Sequence, residues 1–89
     1  MCDTFATVGP RGALVAKNSD RSPREPQIIE WHPARPAAGP LATQYLTIPD
    51  APAHGVVLSR PTWLFGAEHG VNEHGLVSGN ERVYSRRDL

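Results

Sequence analysis

The segment TFATVGPRGALVA at residues 4–16 is the clearest indication of fold class in the sequence. Residues 4–8 are rich in β-branched and aromatic side chains, which are typical of strands. The turn residues GPRG follow at positions 9–12, and residues 13–16 form a second short apolar run. Two such runs around a tight turn predict a β-hairpin.

Short strand-like runs continue along the chain. Further strands are predicted at residues 27–32 (QIIEWH), 44–48 (QYLTI) and 55–59 (GVVLS), with a last, interrupted one at 76–79 and 82–84. The segment NEHG, which ends at Gly75, is typical of a type I turn closed by a left-handed glycine, and it predicts a hairpin whose outgoing strand begins at Leu76. No segment of ten or more residues has helical periodicity. The sequence therefore predicts a mostly antiparallel sheet without a covering layer.

Composition excludes several classes of protein. The 89 residues carry nine basic and nine acidic side chains, so no basic field exists to hold nucleic acid or an anionic membrane. No apolar run approaches the roughly 20 residues of a membrane helix. One cysteine cannot form an internal disulfide. Asp3 and the lack of an apolar block after it argue against a secretory signal, so a cytoplasmic location is expected.

Cys2 is the first candidate for chemistry. If Met1 is removed, Cys2 carries a free α-amine beside its thiol. In model peptides an α-amine has a pKa of about 7.7–8.0 and a cysteine thiol a pKa of about 8.5. A nucleophile and a base within one residue suit nucleophilic catalysis with an N-terminal amine as base. The alternative is that Met1 stays and Cys2 is an ordinary small residue, because Met-Cys alone is no signature.

The segment KNSDR at residues 17–21 is the second candidate. In a tight hairpin it lies near Cys2, because the end of the second strand adjoins the start of the first. There Lys17 would lower the thiol pKa. Asp20 would accept a hydrogen bond from the α-ammonium, and Asn18 would supply a neutral donor. The alternative is a solvated turn, which these residue types also favour.

Several blocks in order resemble one family. They are MCDT at 1–4, KNSDR at 17–21, LSRP at 58–61, WLFGAE at 63–68, GVNEHG at 70–75 and GNE at 79–81. Together they resemble the secernin and dipeptidase branch of the cysteine N-terminal nucleophile hydrolases. The resemblance implies an α+β fold, with residues 1–89 as the N-terminal antiparallel β portion of a single αββα sandwich domain, truncated before its helical layers. It also implies removal of Met1.

The resemblance also implies roles for single residues. Cys2 is the nucleophile, its amine the base, and Asp20 orients that amine. Lys17 stands where broader relatives of this branch, such as penicillin V acylases and bile salt hydrolases, have an arginine. A lysine keeps the positive charge but cannot donate the two parallel hydrogen bonds of a guanidinium. Asn18 is included among the catalytic-site residues with Cys2, Lys17 and Asp20. Asn80 stands where an oxyanion-hole amide is expected.

The implied function is a dipeptidase-like cysteine hydrolase that cleaves amide bonds of small peptides through an acyl-enzyme on Cys2. Two alternatives stay open: a non-peptide amide acylase or acyltransferase, and a non-catalytic, secernin-like trafficking protein in exocytosis. The 89-residue chain alone is expected to be inactive. No cofactor, nucleic acid or membrane partner is expected.

Four further side chains have more ordinary expectations. His69 and His74 lie five residues apart, with glutamates beside them, on a glycine-rich turn. Because this spacing is not the i, i+4 pattern of a helical zinc motif, turn and hydrogen-bonding roles are expected rather than a metal site. Trp63 and Phe65 lie beside a strand end and are expected in the core, with the lining of a pocket as the alternative.

Overall fold

The computed structural model describes residues 2–81, which form eight strands. They are β1 (Cys2–Gly9), β2 (Gly12–Ser19), β3 (Gln27–His32), β4 (Leu41–Ala42), β5 (Thr47–Ile48), β6 (Val56–Pro61), β7 (His69–Asn72) and β8 (Val77–Gly79). They make a β1-β2 hairpin, a four-stranded sheet in the order β3-β6-β7-β8, and a small β4-β5 pair. Every pairing is antiparallel.

The α+β class implied by the resemblance is wrong for the described chain, since residues 2–81 contain strands and no helix. The physical reason is local. Apolar residues recur in short runs with strand periodicity, and glycine or proline interrupts each run before a helical turn pattern can build up. The antiparallel β organisation predicted from those runs is confirmed. No helix in this part of the chain is long and apolar enough to cross a membrane.

The hairpin predicted from residues 4–16 is confirmed and is longer than predicted. Its strands pair from Gly9 opposite Gly12 back to Cys2 opposite Ser19. Gly12 adopts φ +139°, a conformation that other residues rarely take, at the residue that leaves the two-residue loop. Because the two strands stay paired along their whole length, the polar end of β2 lies beside the start of β1.

The remaining strands agree with prediction to different degrees. The bounds of β3 are those predicted, and β6 begins one residue later and includes Pro61, which was expected to stop it. The predicted strand at residues 44–48 is mostly wrong, because the Thr43 hydroxyl and amide both bond to the Leu46 carbonyl and close a turn there. Strand β7 is the incoming strand of the hairpin predicted around the turn at Gly75, for which no bounds were predicted, and residues 82–84 lie outside the described residues.

The predicted turn between β7 and β8 is confirmed. The Gly75 amide donates to the Asn72 carbonyl over 2.9 Å, and Gly75 has φ +80°. The Asn72 side-chain oxygen accepts from the amides of His74 at 3.0 Å and Leu76 at 2.9 Å. This asparagine therefore fixes the turn through its side chain as well as its backbone.

Substituting Gly75→Ala tests the turn. A Cβ at Gly75 meets nothing within 4 Å, so the cost is the left-handed backbone alone, about 1–2 kcal/mol. We expect hydrogen-exchange protection of the Asn72 amide to fall by about 5–30-fold. The matched control is Gly9→Ala, where a Cβ also has open space and φ is not positive. Equal protection in both variants would show that the turn tolerates an L-residue.

The four-stranded sheet presents an apolar face. Val57 lies opposite both Trp31 and Val71, and Val71 lies opposite Val77, so one row of apolar side chains crosses all four strands. Trp31 is 69% exposed, and within residues 2–81 the only buried apolar side chain is that of Pro61. The chain exposes 7513 Å², where a compact monomer of this size exposes about 5,100 Å². The predicted lack of a covering layer holds for the described residues.

The opposite face of this sheet carries an ionic network. Arg60 on β6 donates to Glu30 on β3 through Nε at 3.0 Å and Nη2 at 2.6 Å. His32 Nε2 lies 2.9 Å from the other Glu30 oxygen. Arg60 also donates to the Thr62 and Leu64 carbonyls, so it ties the segment after β6 to the sheet.

These contacts lower the pKa of Glu30 below its ordinary value of 4.5, through the hydrogen bond from Arg60 first and His32 second. A lowered folded-state pKa stabilises the fold above the ordinary value, and this contribution is lost as the pH falls through the folded value. We expect Arg60→Gln to raise the Glu30 pKa more than His32→Ala does. NMR titration of the Glu30 carboxyl carbon measures both, and the reverse order would contradict the network.

Candidate functional site

Cys2 opens β1 at the junction between the hairpin and the four-stranded sheet. Its thiol is free and half-buried. Its Cα is paired with that of Ser19, and Thr4 is paired with Lys17. Because side chains alternate along a strand, these four residues share one face of the hairpin. The prediction that the end of β2 lies beside Cys2 is confirmed.

The other predicted residues of this segment lie differently. Asn18 is paired with Asp3, so the alternation puts it on the opposite face of the hairpin from Cys2. Asp20 follows β2 directly and is exposed. The structure thus brings Lys17 and Ser19 to the face of Cys2 and turns Asn18 away from it.

Lys17 and Asn80 are in direct contact. The Lys17 ammonium donates to the Asn80 backbone carbonyl over 2.6 Å and lies 4.0 Å from a Glu81 carboxylate oxygen. That same Glu81 oxygen accepts a hydrogen bond from the Thr4 hydroxyl. The Lys17 side chain is only 2% exposed, so this link between the hairpin and the end of β8 is shielded from water. The Lys17 ammonium is therefore directed to Asn80 and Glu81.

The Asn80 side chain was predicted to supply an oxyanion-hole amide. Its Nδ2 donates to the Ala67 carbonyl over 3.3 Å, while its backbone amide donates to the Glu68 carbonyl over 2.9 Å. In this conformation the amide group holds the segment before β7.

Glu68 lies at the centre of the junction and was missed as a site residue by the sequence interpretation. Its exposure is 8%, so the carboxylate is largely shielded from water. It accepts from the Ser19 hydroxyl over 3.0 Å and lies 3.2 Å from Arg21 Nε through its other oxygen. The only signal for it in the sequence was its place at the end of the WLFGAE block.

Arg21 extends the cluster away from Cys2. Its Nε donates to Glu25 over 3.1 Å, and its guanidinium lies 4.7 Å from the centre of the Trp63 ring. The Trp63 indole donates to the same Glu25 oxygen over 2.8 Å. Trp63 is 62% exposed and Phe65 is 57% exposed, so the expectation that both lie in the core is wrong. The indole is held by polar contacts instead.

The chemistry available at the junction follows from these contacts. A half-buried thiol starts β1 opposite a hydroxyl that is bonded to a buried carboxylate. A buried carboxylate with two partners orients a nearby cation or donor strongly, because little water competes with it. This arrangement suits the orientation of an ammonium group near the start of β1.

Comparison with known proteins does not assign this chain to a family. No protein-family model matches the chain, and no solved structure matches it. The functional argument therefore depends on the residues at the junction.

Replacing Lys17 tests the link between the hairpin and β8. Hydrogen bonds to a charged group contribute about 1.5–3 kcal/mol, so Lys17→Met should loosen the contact between the hairpin and the end of β8, while Glu68 still holds the end of β2. The Thr4 methyl and the Lys17 stem both lie 3.8 Å from where a Cβ on Gly79 would stand. We expect the NMR cross-peak between the Thr4 methyl and Gly79 to weaken in Lys17→Met.

The matched control is Lys17→Arg, which keeps a cation and a long stem and should retain the cross-peak. A cross-peak of unchanged intensity in Lys17→Met would show that the ammonium does not hold the two parts together.

Proposed function

We propose that Cys2, after removal of Met1, is the nucleophile of a dipeptidase-like hydrolase that cleaves amide bonds of small peptides. The observation that carries this proposal is the pairing of Cys2 with Ser19, which sets the start of β1 beside the buried Glu68 carboxylate. The order of blocks shared with the secernin and dipeptidase branch supports the same reaction class.

The proposed reaction uses one residue as nucleophile and base. The neutral α-amine of Cys2 accepts the thiol proton, and the thiolate attacks the substrate carbonyl carbon. The resulting ammonium gives its proton to the leaving amine as the amide bond breaks, which leaves a thioester on Cys2. A water molecule then attacks the thioester and its proton passes through the amine, which releases the acid and restores the thiol.

The contacts at the junction support separate roles for its residues. Asp20, directly after β2, orients the ammonium, and Glu68 adds a second negative charge held in place by Ser19. Lys17 acts as a positioning residue, since its ammonium holds the Asn80 carbonyl.

Asn18 faces the other side of the hairpin, which weakens its case for direct contact with substrate. Asn80 as an oxyanion donor requires its amide to leave the Ala67 carbonyl.

The setting of the site is part of the proposal. A sheet with one apolar face needs a covering layer, which favours a role for this chain as part of a larger single domain. A neutral overall charge and a single cysteine favour a cytoplasmic protein that acts on small molecules.

Intact-mass measurement and variants at position 2 test the nucleophile. We expect the native protein to lack Met1 and to have a free α-amine. In the larger domain to which we assign this chain, Cys2→Ala should lower dipeptide hydrolysis by at least about 10³-fold, because no other residue replaces the nucleophile.

The sharpest control keeps the Cys2 thiol but removes the free α-amine from that residue. Inserting one alanine between Met1 and Cys2 leaves the cysteine in the chain, but its nitrogen becomes part of a peptide bond. We expect this variant to be as inactive as Cys2→Ala. Full activity in the insertion variant, or a retained or acetylated Met1 in the native protein, would overturn the proposal and favour the non-catalytic alternative. Transfer of the acyl group to an added amine in preference to water would identify an acyltransferase.

A further inference from the structure

A second cluster of polar side chains lies at the other end of β7 from Glu68. His54 stands just before β6, while Glu73 and His74 are the central residues of the turn between β7 and β8. They meet because Val56 pairs with Asn72, which sets the turn beside the start of β6. The six-residue segment from Glu68 to Glu73 spans about 16 Å at a strand rise of about 3.3 Å per residue, so this cluster is separate from the Cys2 junction.

The three side chains converge. His54 Nδ1 lies 3.4 Å from a Glu73 carboxylate oxygen. The two imidazole rings meet edge to face, with centroids 4.4 Å apart and planes at 79°. One ligand atom from each of the three residues can be chosen so that all lie within 4.8 Å of one another.

We propose that His54, Glu73 and His74 form a Zn²⁺-binding site. Two imidazole nitrogens and one carboxylate oxygen are a donor set that zinc takes in sites with three protein ligands, with water at the fourth position. At metal–ligand distances of about 2.0–2.1 Å, tetrahedral ligand atoms lie about 3.3–3.4 Å apart. The widest separation therefore needs to close by at most about 1.4–1.5 Å, which rotation of the exposed His54 and His74 side chains can supply.

The backbone holds the carboxylate ligand in place. The Gly55 amide donates to Glu73 Oε1 over 3.0 Å, and the Glu73 amide donates to the Gly55 carbonyl over 2.8 Å. Oε1 is also the carboxylate oxygen that faces His54 Nδ1, so the Gly55 amide orients the oxygen nearest the histidine, as outer hydrogen bonds orient metal ligands. Asn72 holds the His74 amide over 3.0 Å, so the turn that carries two of the ligands is itself fixed.

The donor set also predicts selectivity. Mg²⁺ and Ca²⁺ prefer oxygen ligands throughout, and this cluster offers one carboxylate only. Zn²⁺ accepts imidazole readily, so binding should follow ligand chemistry rather than charge alone.

Calorimetric titration of the metal-free full chain with ZnCl₂ tests the site. We expect one Zn²⁺ per chain, and at least tenfold weaker binding in His54→Ala and in His74→Ala. Glu73→Gln should also weaken binding while its remaining carbonyl still accepts from the Gly55 amide. Circular dichroism of each variant establishes that the strands are retained.

The chain supplies matched controls. His69→Ala removes the histidine that the sequence spacing pairs with His74, and His32→Ala removes one that already contacts a glutamate. Neither should change zinc affinity, and MgCl₂ should neither bind with measurable heat nor displace Zn²⁺. Absence of zinc binding, equal loss in His69→Ala and His54→Ala, or displacement by an equal concentration of Mg²⁺ would overturn the proposal.

Discussion

The contact between the buried carboxylate of Glu68 and the end of β2 is the interaction on which the described structure depends. Ser19 bonds to one carboxylate oxygen and Arg21 lies against the other, so one side chain joins the hairpin to the segment before β7. Removing one partner of a buried charge leaves the other without compensation, which is strongly destabilising. Lys17 forms a second, shielded link to the end of β8.

These polar links matter more here than in most small domains. Hydrophobic burial ordinarily dominates folding, yet Pro61 is the only apolar side chain buried in residues 2–81. The β1-β2 hairpin and the four-stranded sheet are separate in their backbone hydrogen bonding. Side-chain contacts at the junction therefore determine how the hairpin is placed and, with it, the position of Cys2.

Strand β7 has a polar cluster beyond each end. Glu68 at one end serves the junction around Cys2, and Glu73 at the other meets two histidines. The strand is short because Asn72 starts a turn immediately, and that turn is why Glu73 and His74 reach back to the start of β6. One short strand thus positions both the proposed nucleophile site and the proposed zinc site.

The amino-acid sequence by itself determined the local features: the hairpin around residues 9–12, strand β3 and the glycine-closed turn at Gly75. These depend on short-range periodicity and on backbone preferences of single residues, which neighbouring positions are enough to reveal. It also indicated that the end of β2 lies beside Cys2. The α+β class, which is wrong for the described residues, came from the resemblance and not from the residues themselves. The bounds of β7 could not be predicted because that strand depends on its pairing with β6.

Only the tertiary structure decided which side chains meet. Asn18 is turned away from Cys2 because strand alternation assigns it to the other face, a fact that required the register of the hairpin. Glu68 meets Ser19 across 49 positions, and His74 meets His54 rather than His69 because β6 pairs with β7. Sequence spacing measures distance along the chain, whereas a binding or catalytic site depends on distance across the fold.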